Sequence, residues 1–199
     1  MMQIFKRDKT ETQKREMSAA LHAIGGKAHP APPVCSLKCH HHKTQKCEPL
    51  CANISTTLTS DPDYPIDHKI APLAFTLKSL GVFDPCWSCE GHHAPFKLTG
   101  ISPEIWRKPS VWFYADSVVH VRVLNEAVQK LYCDRLLNTR WHIVVVHSSP
   151  DNADTTFSLQ PHPVSDAGST TLDELQEDVL ALALCLRNTV MQCASDLLS

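Results

Sequence analysis

The chain has 199 residues, a formal charge of −2, 43% hydrophobic and 20% charged residues, a balance that fits one folded domain with a small attached module. Net charge this close to zero gives no global basic field for nucleic acid, and no apolar run approaches the ~20 residues of a membrane span. The start, MMQIFKRDKTETQKREM, is charged, lacks the apolar centre of a secretory signal and carries acids foreign to a mitochondrial presequence. A cytoplasmic location with reduced thiols is therefore expected, and the nine cysteines read as ligands and core residues rather than as disulfides.

In chain order, residues 6–24 are expected to form a mostly charged helix, frayed in isolation and stopped by Gly25-Gly26, with a proline-rich linker at 28–34. This N-terminal segment, 1–34, leads into a Cys/His-rich module, 35–66, and then into an α+β domain, 67–199. The module carries Cys35-x3-Cys39, then His40-His41-His42, then Cys47-x3-Cys51. A spacing of three brings both thiols of a pair onto one face of a helical turn, or across a tight loop. Cys35, Cys39, Cys47 and Cys51 would complete a tetrahedral zinc site with bonds of about 2.3 Å, and any of the three histidines offers a substitute ligand. The module has too little apolar material to fold alone, and a metal would supply the missing free energy. The competing reading is a flexible tail that binds nothing. Paired CxxxC units also resemble the small translocase chaperones of the mitochondrial intermembrane space, where they form disulfides. The seven-residue gap here is short for that family, and the rest of the chain departs from it.

Residues 67–80 place Ile70, Leu73, Leu77 and Leu80 at helical spacing, with Pro72 acceptable in a first turn and Gly81 as the stop. Next comes Asp84-Pro85-Cys86-Trp87-Ser88-Cys89-Glu90-Gly91-His92-His93. CxxC is a zinc-knuckle spacing. With Cys86, Cys89 and His92 as ligands, water in the fourth position and Glu90 as general base, it would make a hydrolase-like metalloenzyme. The same cysteines could instead join the first module around one or two metals. Asp67-His68 and Asp84 are candidates to orient a metal-bound histidine, although an Asp-His pair more often just opens a helix. A thiol nucleophile at Cys89, paired with His92 or His93, is a further reading.

Other familiar motifs fail at named residues. Gly91 and Pro95 close off the helix that a redox CxxC opens. Glu90 stands where c-type haem attachment needs histidine. Pro85-Cys86-x-x-Cys89 lacks the upstream H-x-E of zinc deaminases. Ser88-Cys89-Glu90-Gly91-His92 resembles the S-C-x-G-R/H segment of the tRNA wybutosine-synthesising methyltransferase family and of similar small α+β proteins. That resemblance implies that residues 86–93 line a ligand pocket opposite the aromatic strand 111–114, with Trp87, Ser88 and Trp112 as binding residues.

Residues 92–109 read as a proline-bearing loop, and Val111–Tyr114 as a strand. Residues 117–137 are ambiguous, because alternation of Val119, Val121 and Val123 suits a strand while Val121, Leu124, Val128 and Leu131 suit a helix capped by Ser117. The helix is preferred. Trp141–His147 and Thr155–Gln160 form a hairpin, and Thr171–Glu174 is a capping box opening a last, long amphipathic helix. Cys133, Cys185 and Cys193 fall in or near the apolar helical stripes and are expected to be buried and inert. Trp87, Trp106, Trp112 and Trp141 fill a core or stack on a ligand ring.

The expected fold is α+β, a small antiparallel or mixed sheet packed by helices beside an N-terminal metal-binding module. The expected function is zinc binding, ahead of an iron–sulfur cluster, with the CxxC-E-G-H segment lining a pocket for a small molecule, nucleic acid or protein. The alternatives are the zinc-dependent hydrolase with Glu90 as base, and a structural or protein-interaction module stapled by metal.

Overall fold

A computed structural model describes residues 9–26, 66–67, 69–94, 105–148, 154–163 and 170–199. The whole 35–51 cysteine module and His68 lie outside the described residues, as do residues 6–8 of the expected first helix.

The described chain is α+β. Its helices are α1 (Glu11–Ala23), α2 (Ala71–Ser79), α3 (Val118–Cys133) and α4 (Leu172–Asp196). The strands are β1 (Phe83–Cys89), β2 (His92–His93), β3 (Ile105–Arg107), β4 (Ser110–Ala115), β5 (Trp141–Ser148) and β6 (Thr155–Pro161). The main sheet runs β1-β4-β6-β5 with every neighbouring pair antiparallel, and β2 and β3 form a separate two-stranded ribbon. It follows that β4 and β5 are parallel, joined through α3, with β6 inserted between them.

Local chemistry explains the helix starts. Ser117 accepts a hydrogen bond from the Val119 N–H at 3.2 Å. This cap, and the burial of Val123, Leu124, Ala127, Val128 and Leu131 on one face, decides the ambiguous 117–137 segment for helix. The Thr171 capping box is formed: the Glu174 N–H donates to Thr171 Oγ1 at 3.2 Å, and the Thr171 N–H donates to Glu174 Oε2 at 2.8 Å. Each such cap is worth about 1 kcal/mol. Pro72 sits in the first turn of α2, where no hydrogen bond is lost.

One face of the sheet meets the helices. Phe83, Val111, Phe113, Leu159 and Trp141 from the strands pack with Leu73, Leu77, Leu124, Leu131, Leu182 and Leu186 from α2, α3 and α4. The first helix is docked by Leu21 and Ile24, both in this core, and the buried His120 ring meets the Ala20 carbonyl through Nε2 at 2.9 Å. Among the described residues, no helix is long and apolar enough to cross a membrane.

Two expectations are corrected. The CxxC segment is an edge strand rather than a knuckle, and residues 92–93 and 105–107 of the expected loop form the β2–β3 ribbon. Cys133 is exposed and Cys185 and Cys193 are half-buried, none of them fully buried. The core-facing run of α3 ends at Leu131, so Cys133, two residues on, points away from it.

Candidate functional site

The sheet face turned away from the helices carries the candidate chemistry. A strand sends alternate side chains to opposite faces, and Phe83 and Cys89, six positions apart, would share a face in a regular strand. They do not, because β1 contains a bulge. Pro85 pairs with Phe113 while Trp87 pairs with the adjacent Trp112, leaving Cys86 unmatched. The extra residue resets the alternation. Before it, Phe83 and Pro85 lie with Ala115 and Phe113 on the helix side; after it, Trp87 and Cys89 lie with Trp112 and Ser110 on the open side.

The outcome is a groove of about 500 Å³ lined by Trp87, Arg107, Lys108, Ser110, Trp112 and Gln160. The Trp87 and Trp112 rings are 4.9 Å apart and tilted at 50°. The Arg107 guanidinium stands 5.9 Å from the Trp87 ring and 4.8 Å from the Trp106 ring. Trp87 is 40% exposed and Trp106 62% exposed, so these rings offer apolar surface to solvent instead of filling the core. Trp141 does the reverse: it is fully buried, and its indole N–H donates to Asp178 Oδ2 at 3.0 Å. At the far end of the groove His142 pairs with Gln160 across the strands, with its ring 4.8 Å from that of His162. Burial, then His162, Arg140 and Lys108, hold His142 below its ordinary pKa.

Beside the groove the chain turns from β1 into β2 through Glu90-Gly91. Gly91 has φ +85°, and a Cβ there would stand 2.7 Å from Leu172 Cδ1 and 2.8 Å from Pro109 Cδ. Both the conformation and the space call for glycine. The Glu90 N–H donates to Asp67 Oδ2 at 3.1 Å, and the Lys69 N–H donates to Glu90 Oε2 at 3.0 Å. From α4, Gln176 Nε2 donates to the Glu90 carbonyl at 3.2 Å, and the Lys69 ammonium bonds Gln176 Oε1. The segment before α2, the end of β1 and the start of α4 are thereby tied at one turn.

This turn brings Asp67, Cys89 and His92 together, with one donor atom of each within 4.8 Å of the other two. Asp67 Oδ2 and His92 Nε2 are 3.7 Å apart. Cys89 is buried, and burial raises its thiol pKa; the Gly91 N–H opposes this, the Asp67 charge adds to it, and Arg107 opposes it. A raised pKa is the reverse of what a thiol nucleophile needs.

The residues singled out from sequence fall as follows. Trp87 and Trp112 both line the groove, as directly paired residues on the neighbouring strands β1 and β4. Ser88 pairs with the buried Val111 on the helix side and does not line it. Cys89 and His92 converge, whereas Cys86, the exposed bulge residue, is not part of their cluster. The Glu90 carboxylate is engaged by the Lys69 backbone. Asp84 is paired with Lys78 at 2.9 Å instead of standing beside a ligand histidine. Arg107, Lys108, Ser110 and Gln160 were missed by sequence reasoning. For Ser110 and Gln160 the signal was the alternation of β4 and β6, which sets them on one face with Trp112; Arg107 and Lys108 lie outside those strands and had no such signal.

No family model, curated protein or solved structure matches the chain.

Proposed function

We propose that the protein binds, on this open sheet face, a planar aromatic group carrying negative charge, of which a nucleotide unit is the plainest case. The observation that carries the reading is the Trp87–Trp112 ring pair flanked by Arg107 and Lys108. Stacking of a base on such rings is worth about 1–3 kcal/mol each and tolerates any base, because every base has a π face. Arg107 and Lys108 supply the charge for a phosphate, and a guanidinium can also cover the face of a stacked ring. Ser110 and Gln160 add hydroxyl and amide groups that fix orientation.

Tryptophan fluorescence titration tests the reading, with a mononucleotide and a short single-stranded oligonucleotide in separate arms. Saturable quenching by either ligand is expected. Trp112→Ala and Arg107→Ala each weaken binding about tenfold or more, and Trp106→Ala, outside the groove lining, has a smaller effect. Preference for the strand over the mononucleotide identifies a nucleic-acid segment as the natural ligand. Unchanged affinity in the Trp112 and Arg107 variants, or no binding in either arm, sinks the reading.

The hydrolase reading is not favoured by the geometry of Glu90. A general base must reach the water it activates, and this carboxylate holds the Lys69 N–H. Its role is to brace the turn on which Cys89 and His92 stand.

A further inference from the structure

We propose that Asp67, Cys89 and His92 bind one divalent transition-metal ion, zinc foremost, and that Asp67 takes the ligand position that CxxC spacing assigns to Cys86. The inference does not rest on what the neighbouring groove binds.

The donor set has the right chemistry. A thiolate, a carboxylate and a neutral imidazole are all established zinc ligands, and together they carry two negative charges to match a divalent cation. With metal–sulfur bonds of about 2.3 Å and metal–nitrogen or metal–oxygen bonds of about 2.0–2.2 Å, tetrahedral donor atoms stand about 3.3–3.7 Å apart. Asp67 Oδ2 and His92 Nε2 are 3.7 Å apart, and the thiol sulfur lies within 4.8 Å of both donors. The Asp67 and His92 side chains are 36% and 45% exposed, so side-chain adjustments of up to about 1 Å can bring their donors to bonding distance of a metal on the sulfur. Cys89 needs no such freedom, being fixed on the sheet.

The surroundings hold these ligands as a metal site requires. Asp67 Oδ2 accepts the Glu90 N–H at 3.1 Å, and the Gly91 N–H bonds the Cys89 sulfur. Such outer contacts orient ligands and tune their charge. The turn itself is locked by the positive φ of Gly91 and its contact with Leu172 and Pro109. An Asp–His ion pair alone would explain neither the third donor nor the separation, since 3.7 Å is beyond a good hydrogen bond. Cys86 is excluded by the bulge, which puts Trp87 and Cys89 on the open face while Cys86 itself is left out of the strand pairing. Three protein ligands leave one coordination position for water or a ligand atom.

The full-length chain with Cys35, Cys39, Cys47 and Cys51 all changed to serine is titrated with cobalt(II), then with zinc. That background removes the thiols of the other candidate module. We expect one equivalent of cobalt, with a sulfur-to-cobalt charge-transfer band and intense tetrahedral d–d bands, displaced by zinc. Cys89→Ser abolishes the charge-transfer band. His92→Ala and Asp67→Asn, both at half-exposed positions and checked by circular dichroism, each weaken binding about tenfold or more. Cys86→Ser leaves the spectrum and affinity unchanged. The proposal is overturned if the background chain binds no cobalt, if Cys89→Ser retains the band, or if His92→Ala and Asp67→Asn bind normally. Loss of binding in Cys86→Ser overturns the assignment of Asp67 and restores the CxxC ligand set.

Discussion

Asp178 is 1% exposed, and its carboxylate collects the Asn138 N–H at 2.6 Å, the Thr139 N–H at 2.9 Å and the Trp141 indole N–H at 3.0 Å. One side chain of α4 thus satisfies the linker after α3 and the largest ring in the core. Replacing it with alanine orphans buried donors, and Asp178→Ala is expected to cost about 2–4 kcal/mol in urea unfolding. Burial raises the carboxyl pKa despite these donors, with Glu177 adding to the rise. A raised folded-state value means that the native protein holds the proton more tightly than the unfolded chain. The contribution is therefore full below the unfolded pKa of about 3.9 and declines as pH rises through the folded value. Wild-type stability should fall relative to Asp178→Asn as pH rises above the unfolded pKa of about 3.9. The opposite slope would show that the three donors outweigh desolvation.

Two elements carry predictions of their own. At the β1–β2 turn, Gly91→Ala combines a positive φ with a Cβ too close to the Pro109 ring. A loss of about 1–3 kcal/mol is expected, together with weaker metal binding, because Cys89 and His92 flank the turn. Thermal melts and the cobalt titration measure both. In β1, Cys86→Ser at an exposed bulge residue should change stability by no more than about 0.5 kcal/mol. Deletion of Cys86 is a different matter. Strict alternation would return, and either Phe83 or Cys89, 2% and 3% exposed, would be forced onto the wrong face. Loss of the cooperative melt, or destabilisation beyond about 3 kcal/mol, is the expected result. The same bulge explains where the sequence was legible. The last helix announced itself through the Thr171 capping box and its apolar stripe, and the β5–β6 hairpin through β-branched runs, whereas 117–137 suited strand alternation as well as a helix capped by Ser117. The CxxC pair hid its strand: Pro85, Trp87 and Ser88 show no period-two pattern, because the unmatched Cys86 breaks the count. Spacing rules assume regular backbone, so they joined Cys86 to Cys89 and cast Asp67, 22 residues upstream, only as a group orienting a ligand histidine, not as a neighbour of the Cys89 sulfur.

For the whole molecule, the α+β class and the helix-packed sheet followed from element order, while the strand arrangement did not. Nothing in the residues of β6 says that it lies between β4 and β5 rather than at an edge. Ser158, fully buried and hydrogen-bonded to Gln160 at 2.9 Å, makes sense only once Trp112 and Val144 flank it on neighbouring strands. Likewise the groove needs residues from three separate stretches, and their meeting is a tertiary fact. The central placement of β6 also sets an order of events during synthesis. When residues up to 148 have emerged, β1 and β4 can pair, but β5 has no neighbour to join. The sheet closes only when Thr155–Pro161 slides into the gap, which also delivers Gln160 to the groove. Gln176, which grips the Glu90 turn, emerges later still. The groove is thus completed only by residues made after β5, and a chain stalled before that point carries Trp87, Arg107 and Trp112 without the strand that brings Gln160 beside them.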